Sequence, residues 1–198
     1  MEKWSLVACC WYVRRLGSTL LRKRIDKLDA VRLKAPATSA NLGSGFDICG
    51  IALERPFDII TIRKSDTTSI RNTGHYFALD DAEQSIFGVV IRRMREDFGF
   101  KENFQITIEK NIRHKGGLGG SAAESVGVAF GLNELLRLNL SKQEILHYAA
   151  FGEEFIDGSR HLDNVAPCTY GGFTISYSND PIRINPRRRR HSEVSPAC

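Results

Sequence analysis

The sequence predicts a mixed α/β chain, and three observations carry that reading. Short segments alternate apolar and polar residues with the period of two expected of half-buried strands: Val31–Ala35, Phe57–Arg63, Phe104–Lys110 and Gly172–Tyr177. Between them lie longer stretches with apolar residues at helical spacing, over about 82–97, 121–138 and 142–156. The third strand then runs into the second helix through a glycine-rich stretch, Gly116 to Ala123, which reads G-G-L-G-G-S-A-A.

Each element has a local reason. The first strand, V-R-L-K-A, should end at Pro36, which lacks a backbone donor. Residues Ala37 to Gly50 are rich in Thr, Ser, Asn and Gly and read as a loop or tight turn system. The second strand, F-D-I-I-T-I-R, is followed by a polar stretch over 65–80 that reads as a hairpin or loop. Asp81 can cap a helix over 82–97, with Ile86, Val89, Val90 and Met94 on one face. From Ser121, Val126, Phe130, Asn133 and Leu136 mark a helix, and Ala122 and Ala123 are small enough for close packing. Ser141 and Glu144 form a capping box for a helix over 142–156. A last strand over 172–177 precedes a tail, Pro181 to Cys198, with Arg187 to Arg190 in a row and no periodicity.

Composition bounds the function. A 42% hydrophobic share in 198 residues supports a real core in one domain, or one domain with tails. The net charge of +5 belongs to the ends: residues 1–30 carry +4 and residues 183–198 another +4, while the middle carries −3. No nucleic-acid partner is therefore expected from the basic balance. The five cysteines, Cys9, Cys10, Cys49, Cys168 and Cys198, have no C-x-x-C spacing, so neither a disulfide framework nor a zinc site is implied. That suits a cytoplasmic protein. The apolar run Trp4 to Val13 is too short to span a bilayer, and no membrane partner is expected. Arg14, Arg15, Arg22, Lys23 and Arg24 follow it, which keeps a plastid transit peptide as the alternative.

A glycine-rich loop opening a helix is a ready anion site. Glycine lets backbone approach a ligand closely, and the first helical N–H groups have no intrahelical partner. The Walker pattern fails because no Lys follows the glycines. Gly117-Leu118-Gly119-Gly120-Ser121-Ala122 matches the dinucleotide-binding pattern in letters, but a second helix follows where a strand is needed. A glycine-rich turn that merely packs a helix on a sheet remains open from the loop alone.

Two further blocks accompany the loop: P-A-T-S-A-N-L-G-S-G-F-D over 36–47, and H-L-D-N-V-A-P over 161–167. Together the three blocks resemble the GHMP family of small-molecule kinases, and the outer two resemble its homoserine kinases. The resemblance spans about residues 31–177. It implies an α/β (α+β) fold like ribosomal protein S5 domain 2, a mixed sheet with packed helices. By similarity, Gly116, Gly117, Leu118, Gly119, Gly120, Ser121 and Ala122 would hold ATP phosphates. Ser121 and Glu153 would bind Mg²⁺, Glu153 standing eight residues before the His of H-x-D-N. Gly120 stands where the family usually has a first Ser, and Arg113-His114-Lys115 where its Pro region lies. Asn41, Asp47, His161, Asp163 and Asn164 would grip L-homoserine, with Glu153, Ser121, Asp163 and Asn164 carrying the phosphoryl transfer.

The implied organisation is a basic extension over 1–30, disordered or partly helical, the family's ATP-binding N-terminal domain over 31–180, and a disordered Arg-rich tail over 181–198. The family's C-terminal domain is not matched. Little activity and self-association through the face left for that domain are therefore expected. Competing readings are another GHMP kinase, acting on mevalonate, a sugar or shikimate, and a non-catalytic S5-like binding module.

Overall fold

The computed structural model describes residues 5–8, 11–17, 28–76, 84–113, 115–179 and 182–187. Eight strands and four helices occur among them, in a mixed α/β arrangement as the sequence predicts. The strands are β1 (Ser5–Ala8), β2 (Trp11–Gly17), β3 (Leu28–Leu42), β4 (Gly45–Ser65), β5 (Ser69–Asn72), β6 (Asn103–Glu109), β7 (Phe173–Asn179) and β8 (Ile182–Arg187). The helices are α1 (Ile86–Phe98), α2 (Gly120–Leu136), α3 (Lys142–Asp157) and α4 (Leu162–Tyr170). The sheet runs β1-β2-β3-β4-β6-β5, with β7 pairing β4 and β8. All neighbours are antiparallel except β5 and β6, which α1 connects as a parallel crossover.

Period-two patterning decides which face is covered. Val31, Leu33, Ala35 and Ala37 of β3, Ile60 and Ile62 of β4, and Phe104, Ile106 and Ile108 of β6 are fully buried. The alternate positions Arg32, Lys34, Arg63 and Gln105 are half-buried or exposed. Each large apolar side chain so buried contributes roughly 1.5–3 kcal/mol of transfer free energy. The helix α2 lies at the centre, its residues from Ala122 to Asn133 buried apart from Glu124. Gly127 makes that possible: a Cβ there would collide with the Ile60 side chain. Helix α2 therefore sits directly on the sheet.

Several boundaries differ from expectation. Strand β3 does not stop at Pro36; it continues to Leu42, and with β4 turns Ala37–Gly50 into a hairpin arm. Pairing resumes beyond a register shift between Pro36 and Thr38, which absorbs the proline. Ser85, not Asp81, caps α1: its side chain accepts from the Gly88 N–H at 3.1 Å. Asp81 lies outside the described residues. The capping box at Ser141 is present with both of its bonds.

The ends also depart from the expected organisation where they are described. Ser5–Ala8 and Trp11–Gly17 are strands, not disordered or helical, and Tyr12 to Gly17 pairs with Leu28 to Lys34. A run rich in Trp, Tyr and Val suits a strand, and the edge of β3 supplies unpaired backbone groups. Ile182–Arg187 likewise pairs with β7, an edge position where Pro186 is tolerated. The remaining tail, 188–198, lies outside the described residues. Among the described residues no helix is long and apolar enough to cross a membrane.

Candidate active site

The glycine loop joins the C-terminal end of β6 to α2. Gly119 is the N-cap of α2, in a left-handed conformation (φ 60°), and no side chain caps the helix. The first N–H groups of α2 thus have no side-chain cap among the described residues, an arrangement that favours an anion. Gly116 and Gly117 are exposed, and Leu118 to Ser121 are half-buried. The Thr38 N–H donates to the Leu118 carbonyl at 3.1 Å and ties the loop to β3. At Gly119 a Cβ would strike the side chains of Thr38 and Asn164, so only glycine lets the loop touch both.

Beneath the loop lies a buried charge network. Lys110, 1% exposed, directs its Nζ to Asp58 Oδ2 (2.8 Å), the Gly120 carbonyl (3.2 Å) and Glu124 Oε1 (2.5 Å). Asp58 Oδ1 in turn accepts the N–H groups of Asn111 (2.6 Å) and Ile112 (2.8 Å). Burial by itself would lower the Lys110 pKa; attraction to Glu124 and Asp58 outweighs it and raises the value. The ammonium stays charged and holds the start of α2 through a carbonyl. The Walker test looks for a lysine after the glycines, and this one precedes them. Its sequence signal was an ionisable residue ending an otherwise alternating strand.

The residues expected to grip substrate do converge. Asn41 and Asp47 both occupy the left-handed region (φ 58° each), and Asn41 Oδ1 accepts the Asp47 N–H at 3.0 Å. His161 Nδ1 stands 3.8 Å from Asp47 Oδ1, and its Nε2 is 2.6 Å from Ser159 Oγ. The block 161–167 forms the first part of α4, a helix that the sequence left as a polar cluster, with His161 as N-cap and Pro167 inside it. Asp163 Oδ1 accepts the Asn164 N–H at 2.9 Å, and Asn164 Oδ1 accepts the Thr38 hydroxyl at 2.8 Å. Asp163 is 3% exposed; burial chiefly raises its pKa, the Asn164 N–H opposes that, and the negative charge of Asp47 adds to it. Thr38 sits in the first block but sequence reasoning passed over it; its hydroxyl joins the loop to Asn164 and the α4 block.

Glu153 is 4% exposed on α3. Its neighbour Gly152 packs against Ser125 of α2, one helical turn beyond Ser121. Among the described residues no cluster of three or more His, Cys, Asp or Glu could hold a metal ion. One buried carboxylate and a half-buried hydroxyl suit a hard cation such as Mg²⁺, which takes few protein ligands and shares phosphate oxygens.

Comparison with known proteins agrees with this arrangement. Residues 85–172 match the family model described as the GHMP kinases N terminal domain. Over residues 85–172 the chain is thus similar to that family. The chain is 45% identical over 158 residues to the homoserine kinase of Methanococcus vannielii, covering 78% of this chain and 52% of that protein. It is likewise 45% identical over 157 residues to the homoserine kinase of Natronomonas pharaonis, with the same shares of 78% and 52%. The crystal structure of homoserine kinase from Cytophaga hutchinsonii superposes with a TM-score of 0.73 at 34% identity, covering 84% of this chain and 54% of that one. The chain spans about half the length of the curated relatives it matches. The matched stretch holds the glycine loop, Glu153 and the α4 block.

Proposed function

We propose that this chain serves phosphoryl transfer from ATP to the side-chain hydroxyl of L-homoserine, giving O-phospho-L-homoserine and ADP, a step of threonine biosynthesis. The observation that carries the reading is the Thr38–Asn164 hydrogen bond, which holds the substrate cluster against the glycine loop. An anion cradle and an amino-acid site are then neighbours, as the reaction needs.

The loop N–H groups of Gly119 to Ala122 and the dipole of α2 receive the triphosphate, with Lys110 fixing the loop from below. Ser121 and Glu153 would hold Mg²⁺, which when bound supplies charge neutralisation at the transferring phosphoryl group. Asp47, exposed at the hairpin, pairs the substrate ammonium, and Asn41 and His161 orient the amino acid. Asp163 Oδ1 is engaged by Asn164, and we assign Oδ2 to the substrate hydroxyl. That oxygen accepts the hydroxyl proton as the oxygen–phosphorus bond forms and the bond to ADP breaks. Positioning supplies most of the rate in a loose phosphoryl transition state.

Phe46 (65%) and Ile48 (44%) on the hairpin arm are exposed apolar side chains through which self-association is expected. Calorimetry on the 198-residue chain with MgATP tests the nucleotide half: binding should vanish in Ser121→Ala and Glu153→Gln. Titration with homoserine, mevalonate, a sugar and shikimate tests the other half. Stronger binding of mevalonate or shikimate than of homoserine would sink the substrate assignment.

A further inference from the structure

The far end of the sheet carries a second basic site that the phosphoryl-transfer reading does not use. Its cavity, about 440 Å³, lies between α1 and the turn joining β4 to β5. Arg92, Arg95, Thr67, Thr68 and Asn103 line it, with Ile91 as an apolar wall. Asn103 begins β6 and Glu109 ends it, so the cavity and the glycine loop lie at opposite ends of a seven-residue strand. At about 3.3 Å per residue that is roughly 20 Å. One small ligand cannot fill both.

Charge and preorganisation mark the cavity as built for an anion. Arg92 and Arg95 stand three residues apart on one face of α1, and neither pairs with a carboxylate of the described residues. Glu102, on the neighbouring segment, is taken by Lys64 at 3.1 Å, which holds its pKa below the ordinary value. Arg95 is nonetheless fixed in place. Its Nη2 donates to the Glu102 carbonyl at 2.9 Å, and its guanidinium lies 5.5 Å from the centre of the Phe100 ring. Its Nε is buried and finds no acceptor among the described residues. Asn103 is held too, accepting from the Thr68 hydroxyl at 3.2 Å and donating to the Asp66 carbonyl at 2.8 Å. Two guanidinium groups, hydroxyls and an amide therefore converge, and no carboxylate of the described residues pairs with either guanidinium. Arginine is the side chain best shaped to grip an oxyanion through paired donors.

We propose that this cavity binds a small metabolite bearing a phosphate monoester or carboxylate, at a site separate from the glycine loop. The volume exceeds that of a bare phosphate ion and falls within the range of small-molecule pockets. Ile91 gives the ligand's carbon skeleton an apolar wall. The proposal stands whether or not the chain phosphorylates homoserine.

Glycerol 3-phosphate and succinate are suitable probes, titrated into the 198-residue chain at constant ionic strength and followed by calorimetry. At least one should bind saturably, unaffected by matching chloride. Arg92→Ser should weaken that binding about tenfold, the loss expected for one charge-assisted contact. Because Arg92 is exposed and makes no side-chain bond among the described residues, the variant tests binding without unfolding the protein. The double variant Arg92→Ser/Arg95→Ser should abolish binding, and Arg95→Lys should retain part of it. Ser121→Ala, which alters the glycine loop, should leave probe binding unchanged. Which probe binds identifies the oxyanion. Failure of both to bind, equal binding by the double variant, or loss of binding in Ser121→Ala overturns the site.

Discussion

The floor of the glycine loop and the cluster of Asn41, Asp47, His161, Asp163 and Asn164, which reaches the loop through Thr38, are built on opposite terms. The floor is buried and fully bonded: Lys110 and Asp58 are 1% and 0% exposed and make at least five short polar contacts between them and their partners. The cluster is open: the side chains of Asp47 and His161 are 49% and 42% exposed and stand 3.8 Å apart. Buried charge must be paired or it destabilises the fold, whereas exposed charge contributes little to stability. The floor should therefore fail as structure and the cluster as function.

The largest effect should come from Asp58→Ala. It leaves the buried ammonium with Glu124 and the Gly120 carbonyl alone and strands two backbone donors, and breaking such a buried pair costs about 3–5 kcal/mol. Urea denaturation should find this loss; a change under about 1 kcal/mol would contradict the account of the floor. The same network gives an alkaline signature. A lysine whose folded pKa is raised stabilises fully below its ordinary pKa and loses that contribution as the pH rises through the raised value. Stability attributable to Lys110 should thus persist through neutral pH and fall above the ordinary lysine range, and Lys110→Met should remove that fall.

A smaller effect is expected at the junction. Thr38→Val removes the hydroxyl that Asn164 accepts and should cost about 1 kcal/mol. It should also weaken nucleotide and homoserine binding together, because one side chain joins both halves. An effect on only one ligand would separate the halves.

Within the cluster Asp163 reverses the usual acid behaviour. Its folded pKa is raised, so the folded state holds the proton more tightly than the unfolded chain. Its contribution is favourable at acid pH and is lost as pH rises from the ordinary Asp range through the raised value. Stability profiles of the wild type and Asp163→Asn should therefore diverge across that window, the variant being flatter. Parallel profiles would show Asp163 to be better solvated than its burial indicates. The smallest stability change belongs to Asp47→Asn, within about 0.5 kcal/mol, although homoserine binding should weaken about tenfold.

The contrast also explains what could be read from the sequence. The glycine loop and the Ser141 capping box were legible because each is a local code, a few adjacent residues with one backbone solution. The blocks holding Asn41, Asp47, His161, Asp163 and Asn164 were legible as family patterns, and the structure brings them together. The floor was not legible, because Asp58 and Lys110 lie 52 positions apart and nothing local marks either as half of a pair. Helix α4 was hidden by its polar first turn and by Pro167. Strand β2 was hidden by side-chain chemistry that also suits a targeting segment, since the edge of β3 that receives it is a tertiary feature. Ser85 displaced Asp81 because the first turn of α1 forms where Phe87 and Val90 can reach the core.

The separation of Asp58 from Lys110 has a consequence for how the molecule assembles. The β3–β4 hairpin closes through a two-residue turn and can zip from its tip outward. The Asp58–Lys110 pair instead waits for β6 to dock on β4, after β5 and α1 have been threaded past. Closing so long a loop is entropically slow. The cradle that would receive phosphate is thus completed late, and a chain emerging from the ribosome acquires its anion site only once its sheet is in register.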